Sequence, residues 1–332
     1  MAVSTSSPLQ RSDEFNARRI SPASLDQPTI DAEMTDVERT MNAVVESGGT
    51  APAQEAAAYH LATGGGRTRA RLAIASGMAW GTPSRHRIAA AAACELLHNA
   101  SLVHDDISDA DPTRRGQPAV WRRYGEDIAL CAGDLLLTSA FLAAAMIEDA
   151  DSSQALVRQL AQQSSRVISG QSLEFAQHED ITPRSITSYV RATCAKTAPM
   201  FELPLRAGAI SIRMAAPTAR NLRRLSEALG LAYQILDDLD DVTPDPSTVD
   251  DPQQLHRLHA WNRHRPHARA MVSSSGLRYR CLRHARAALA RSLALTSSLP
   301  APLATELQAL IHQLTVKADH HTQIDMSDSG DL

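Results

Sequence analysis

Two runs of aspartate are the first sign of chemistry in this 332-residue chain. One is His104-Asp105-Asp106-Ile107-Ser108-Asp109; the other is Gln234-Ile235-Leu236-Asp237-Asp238-Leu239-Asp240-Asp241. Asp105 and Asp109 are four residues apart, as are Asp237 and Asp241, so on a helix each pair of carboxylates shares one face. Adjacent unpaired carboxylates repel, and a hard divalent cation between them removes the repulsion. A solvated acidic helix end would explain either run alone. Two runs, each closing a strongly apolar segment, imply carboxylates at the mouth of one cavity, holding Mg²⁺ and with it a phosphorylated substrate.

Cations for such a substrate stand close in sequence. Arg114-Arg115-Gly116 follows the first run across a loop opened by Pro112. Gly64-Gly65-Gly66-Arg67-Thr68-Arg69 is a glycine-rich turn entering an apolar segment, where backbone N–H groups can approach an anion; a plain flexible turn is the alternative. His98 lies two helical turns before Asp105 and faces the same side, although a lone histidine on an alanine-rich helix also suits a satisfied core position. Lys196 and Thr197 interrupt the apolar stretch TCAKTAPMFELPL, and a lysine there must reach water or meet an anion.

The elements that position these residues are helical. Aromatic residues are 4% and alternating β-branched runs are scarce, whereas alanine- and leucine-rich blocks fill 86–104, 128–147, 154–176, 220–241, 277–297 and 302–318. Prolines 112, 118, 183, 217, 244, 246 and 300 punctuate the connections. The expectation is one all-α domain, a single large helical bundle over residues 31–318. A polar leader, 1–30, precedes it and a frayed polar tail, 319–332, follows. A hydrophobic fraction of 43% with 21% charged residues excludes a wholly disordered chain, and a net charge of −4 gives no bias toward nucleic acid. No run of eighteen apolar residues occurs, so no membrane span is expected. The leader lacks the apolar core of a signal peptide, and Asp13 and Glu14 argue against a transit peptide. Cys94, Cys131, Cys194 and Cys281 form no CxxC pair and read as reduced, mostly buried thiols of a cytoplasmic protein.

The whole set resembles the trans-isoprenyl diphosphate synthases, the polyprenyl synthetase family. The resemblance rests on ELLHNASLVHDDISDADPTRRGQPAVWRRYGEDIALCAGDLLL, then GQSLEF, CAKTAPMFELPLRAGAI and LGLAYQILDDLDD, in family order from about Gly64 to Asp241. It implies a helical bundle of the isoprenoid synthase type around a deep apolar cavity, usually a homodimer. It implies two or three Mg²⁺ ions held by Asp105, Asp106 and Asp109 opposite Asp237 and Asp241, with Asp238 beside them in the catalytic set. Arg114, Lys196, Thr197 and Gln234 match positions that bind an allylic diphosphate. Arg69, His98 and Arg115 match those that bind isopentenyl diphosphate, and Gln171 matches a polar position lining the site. Family members that stop at fifteen carbons carry a bulky aromatic four or five residues before the first aspartate. Here those residues are Ser101 and Ala100, with Leu97 one turn lower, so the resemblance implies a longer product, most simply the twenty-carbon geranylgeranyl diphosphate.

Two departures from the family pattern stand out. Its glycine-glycine-lysine becomes Gly65-Gly66 without lysine, leaving Arg67 as the candidate replacement. Its lysine-bearing loop after the second aspartate run becomes a lysine-free segment. From His256 to Arg291 there are nine arginines and no Asp or Glu, +9 against −13 for the rest of the chain. Arg257, Arg263 or Arg265 could grip diphosphate there; a solvated basic arm is the alternative. His256, His259, His264 and His267 lack the cysteine or carboxylate partners of a zinc site. The competing readings are a farnesyl or longer-chain synthase, a class I terpene cyclase, against which DDLDD at 237–241 argues, and a non-catalytic partner subunit. Asp105→Ala and Asp237→Ala should each lower turnover on the order of a thousandfold, checked by steady-state assay, with the helical circular dichroism unchanged.

Overall fold

Alanine is the strongest helix former and the smallest side chain that packs, so alanine-rich helices can approach closely on all sides. The computed structural model, which describes residues 29–176, 186–212, 214–240 and 275–328, is built this way. The helices among the described residues are α1 (Ile30–Glu46), α2 (Pro52–Ala62), α3 (Thr68–Trp80), α4 (Ser84–Ser108), α5 (Val120–Tyr124), α6 (Glu126–Ala145), α7 (Ala150–Ala176), α8 (Ile186–Ala207), α9 (Ala216–Asp240), α10 (Ser275–Thr296) and α11 (Ala301–Asp328). The expected all-α bundle is what the chain forms. Helix α4 is its axis: every residue from Ala89 to Leu97 is buried, and the helix packs on α1, α3, α6 and α8.

Two apolar clusters fill the interior. One joins α1, α2, α4 and α6; the other joins α9, α10 and α11. Helices α3 and α8 face both, with Ile74 and Leu203 in the first and Leu72 and Phe201 in the second. They are therefore the partition across which the two aspartate runs meet.

Five helices lie outside the alanine–leucine blocks of the sequence: α1, α2, α3, α5 and α8. Helix α8 is the instructive case, because Pro199 and Pro204 lie inside it. Each proline removes an N–H from the ladder, yet packing on α7 and α9 holds the segment helical. The frayed tail needs correction: α11 continues to Asp328, ten residues past the expected boundary, because Ala318 and His321 are buried against the bundle. An additional element is a two-strand hairpin, β1 (Thr113–Arg114) with β2 (Gln117–Pro118), closed by Arg115 and Gly116, both with positive φ. That is the backbone of a type I′ turn, whose second position Gly116 suits.

The expectation about membrane spans also narrows. Helix α6 is 20 residues long with a mean hydropathy of 1.9, enough to cross a bilayer by length and composition. It carries Asp134 mid-helix and buries Ala129, Ala132, Leu136, Ala140 and Ala143 against its neighbours, as a core helix does. All four cysteines are free thiols, and Cys131 is exposed.

Glycine permits a close crossing of α7 and α8. A Cβ at Gly170 would lie 2.6 Å from the backbone nitrogen of Lys196, so α7 meets α8 at the residue that bears the lysine. Gly170→Val should push the two helices apart, destabilise the fold by about 2–3 kcal/mol in denaturant titration, and displace Lys196 from its partner.

Candidate active site

A cavity of about 670 Å³ opens where α3, α4, α6, α7, α8 and α9 converge. Its lining is charged around the ends of α4 and α9 and has an apolar stretch built by α4, α6, α7 and α8. The four-residue spacing of α4 puts His104 and Asp105, Ser101, and Leu97 on one stripe of its wall, with Ala100 beside them. Leu97 lies about 12 Å below Asp105 along the helix axis. Leu137 of α6, Val167 and Ile168 of α7, and Met200 of α8 complete the apolar part.

At the mouth the expected charges assemble. Asp105 of α4 and Asp237 of α9 both line the cavity, with Lys196 Nζ 3.6 Å from Asp105 Oδ2. The lysine thus lies on the carboxylate where a divalent cation would. Thr197 donates from Oγ1 to Gln234 Oε1 at 2.9 Å, and Gln234 Nε2 donates to Asp238 Oδ1 at 2.8 Å. Gln171 reaches the same cavity, and its buried Oε1 has no hydrogen-bond partner.

The remaining acidic residues take other positions. Asp106 is 1% exposed, outside the cavity lining, and bonded to the Arg114 guanidinium, whose Nε lies 2.8 Å from Oδ1. Burial raises its carboxyl to about pH 6 against the pull of Arg114. Asp109 and Asp238 are likewise buried and line no part of the cavity. Asp109 is the C-cap of α4, still in a right-handed helical conformation with its N–H on the Asp105 carbonyl at 2.8 Å, so the four-residue spacing reaches it although its side chain is buried outside the cavity lining. Of the acidic residues predicted as metal ligands, Asp105 and Asp237 are the two that line the cavity; Asp241 lies outside the described residues, as do Arg257, Arg263 and Arg265.

Arginines surround the opposite side. Arg69 is 5% exposed, its guanidinium packed against the edge-to-face pair Phe201 and Tyr233 at 5.0 and 5.2 Å from the ring centroids, and its Nε has no hydrogen-bond partner. A buried, unmet N–H on a cation lining a cavity suits an anionic ligand. Arg115 bonds the Gly64 carbonyl and lies 3.3 Å from Thr63 Oγ1, which folds the hairpin over the glycine-rich turn. Arg67 lines the cavity but donates to Glu38 at 2.6 Å and to the Leu61 carbonyl at 2.8 Å, so its guanidinium serves the turn first. Arg67, Ala110 and Arg115 are the non-glycine residues with positive φ among those described, and Arg67 and Arg115 line the cavity. Backbone strain of this kind collects at functional sites.

Two histidines beneath the arginines stay neutral. Burial, with Arg69, Arg115 and Arg114 adding to it, lowers His98 well below its ordinary range. Burial, with Arg115 adding to it, lowers His60 to about pH 3. His60 Nε2 lies 3.1 Å from Asn99 Oδ1, an acceptor, so Nε2 carries the proton.

Sequence reasoning did not find Glu95, His104, Asp134, Ser164, Met200 or Tyr233, all of which line the cavity. Glu95 was findable: it is a carboxylate on the buried stripe of α4, three residues before His98. Its Oε2 accepts the Ala70 N–H at 3.0 Å, capping α3 and fixing the turn that bears Arg69.

A helical bundle whose cavity is apolar in depth and ringed at its mouth by aspartates and arginines has the isoprenoid synthase fold. The chain belongs to the polyprenyl synthetase family, whose model matches residues 51–254. It is similar to the short chain isoprenyl diphosphate synthase of Methanothermobacter thermautotrophicus, 35% identical over 199 residues, 59% of this chain and 60% of the relative. It is also similar to the geranylgeranyl diphosphate synthase of Mycobacterium tuberculosis, 30% identical over 242 residues, 70% of this chain and 69% of the relative. The match to the first of these therefore spans about 60% of that relative's length. Geranylgeranyl pyrophosphate synthetase from Pyrococcus horikoshii shares the fold, with a TM-score of 0.72 at 23% identity over 86% of this chain and 96% of that one.

The titrating groups set a pH dependence. His60 has a folded value below its ordinary 6.5, so the unfolded chain binds the extra proton and stability rises with pH between about 3 and 6.5. Asp106, raised from 3.8 to about 6, acts in the opposite sense between those two values, over most of that window. His60→Gln should keep the bond to Asn99 while reducing the stability lost between pH 7 and 4.5 by about 2–3 kcal/mol, measured by denaturant titration at both pH values.

Proposed function

We propose that this protein is a chain-elongating prenyltransferase that condenses isopentenyl diphosphate with an allylic diphosphate, with geranylgeranyl diphosphate as its main product. The observation that carries the reading is the division of one cavity into a charged mouth, with Asp105, Asp237, Lys196 and the arginines, and an apolar depth that continues past Ala100 to Leu97 and Met200. Asp105 and Asp237 offer the hard oxygen donors that Mg²⁺ requires, and the Lys196 ammonium already sits on one of them. When bound, Mg²⁺ neutralises charge on the allylic diphosphate and stabilises it as a leaving group.

The chain's own residues do the rest. Arg114 and Lys196 add positive charge where the diphosphate departs, and Thr197 and Gln234 orient it by hydrogen bonds. The C–O bond breaks, its electron pair leaving with the diphosphate, and an allylic cation remains. Arg69, Arg115 and neutral His98 hold isopentenyl diphosphate so that its double bond attacks that cation. A new C–C bond forms, and the adjacent proton passes to the released diphosphate, so no side-chain base is required. The apolar walls keep water from the cation and accommodate the growing tail.

Product length follows from the α4 stripe. Ala100 is 3% exposed in the bundle and Ser101 is small, so neither closes the tunnel one turn below Asp105. A second copy of the chain is the proposed partner, supported by exposed apolar residues on α6 and α7. Leu130, Leu142, Met146 and Leu173, none of them in the cavity lining, make up four of the nine large exposed apolar residues among those described. The test uses purified protein, labelled isopentenyl diphosphate, each allylic diphosphate and Mg²⁺, with products sized by chromatography. Wild type should give mainly a twenty-carbon product, and Ala100→Phe a product about one isoprene unit shorter with a first condensation within about threefold of wild type. A fifteen-carbon wild-type product would refute the length assignment.

A further inference from the structure

The last turn of α9 faces a physical problem that the site leaves unanswered. The run 237–241 packs four aspartates into five residues at a helix C-terminus, the negative end of the macrodipole. Like charges three and four apart on a helix also repel. Asp237 faces the cavity, and Asp238 accepts a hydrogen bond from Gln234. Asp240 has no place in the cavity lining; its carboxylate, half exposed, turns to the flank of α9 that faces α11.

There two residues one turn apart on α11 take one oxygen each. Lys317 Nζ lies 2.5 Å from Asp240 Oδ2, and His321 Nε2 lies 2.8 Å from Asp240 Oδ1. His321 is 2% exposed, so the imidazole is locked in the α9–α11 interface while it donates. Nearer its N-terminus, α11 bonds Arg71 of α3 through Glu306 at 2.6 Å. Helix α11 thus grips α3, which bears Arg69, and the end of α9, which bears Asp237.

We propose that Asp240 is a positioning residue, held by Lys317 and His321 of α11 so that the last turn of α9 stays helical and Asp237 keeps its station across the cavity from Asp105. The role of Asp237 rests on the function proposed above; the clamp itself does not. Lys317 supplies the positive charge that an acidic C-terminal turn lacks, and His321 fixes its direction.

The experiment uses the full-length chain and two readouts. The first is amide hydrogen exchange of residues 233–240 in protein free of metal and substrate. Lys317→Met should accelerate it about tenfold, Asp240→Asn likewise from the other side of the clamp, with residues 98–108 of α4 unchanged and Lys317→Arg close to wild type. The second is the Mg²⁺ concentration for half-maximal turnover, which should rise about three- to tenfold in the same variants while kcat at saturating Mg²⁺ stays within about twofold. Unchanged exchange at 233–240 would overturn the clamp, whatever the site binds. Faster exchange with an unchanged Mg²⁺ requirement would overturn the positioning role. A wild type with no Mg²⁺-dependent turnover would defeat the proposed function and the positioning of a metal ligand together, while the exchange data alone would then decide the clamp.

Discussion

A carboxylate removed from water must be met by a cation or give up its charge, and Asp106, near the end of α4, is met by Arg114. Much of the mouth depends on that pair. It ties α4 to the hairpin at 113–118, and the next hairpin residue, Arg115, reaches across to the Gly64 carbonyl. The glycine-rich turn is thereby fixed from outside, while Arg67 and Glu38 fix it from within. Arg69 then enters α3 at a defined place, against two aromatic rings and close to neutral His98. Arg114 also feels Asp237, so the same guanidinium links both aspartate runs.

The consequence is a separation of roles within a short stretch of sequence. Asp105 faces the cavity, whereas Asp106 is buried against Arg114 and ties the scaffold together. Neutral histidines beneath the arginines leave the positive charge to guanidinium groups, which hold it at any physiological pH. Depth is handled by other means: α4 presents alanine and serine where a bulky residue would close the tunnel, and α7 and α8 supply the far wall.

The sequence carried the class of fold well, because alanine–leucine periodicity over long blocks has few other solutions. Ten residues singled out in the sequence line one cavity: Asp105, Asp237, His98, Arg69, Arg114, Arg115, Gln171, Lys196, Thr197 and Gln234. What escaped was set by tertiary contact. Helix α8 contains two prolines and is held by its neighbours rather than by its own ladder. Asp109 keeps the helical spacing to Asp105, yet the packing around the end of α4 buries it outside the cavity lining. The engagement of Arg67 by Glu38, 29 residues earlier, and of Asp240 by His321, 81 residues later, has no local signature. Pairing at such distances is decided by which helices the core brings together.

The central claim is that Asp105 and Asp237 share a divalent cation with a diphosphate, and that Lys196 holds Asp105 until they arrive. A crystal structure with Mn²⁺ and an unreactive allylic thiodiphosphate tests it directly, through the anomalous signal of the metal. The account predicts metal peaks bridging the diphosphate to Asp105 and Asp237, with the Lys196 ammonium moved from the carboxylate to a diphosphate oxygen. Metal and diphosphate bound elsewhere, with Lys196 still paired to Asp105, would contradict it.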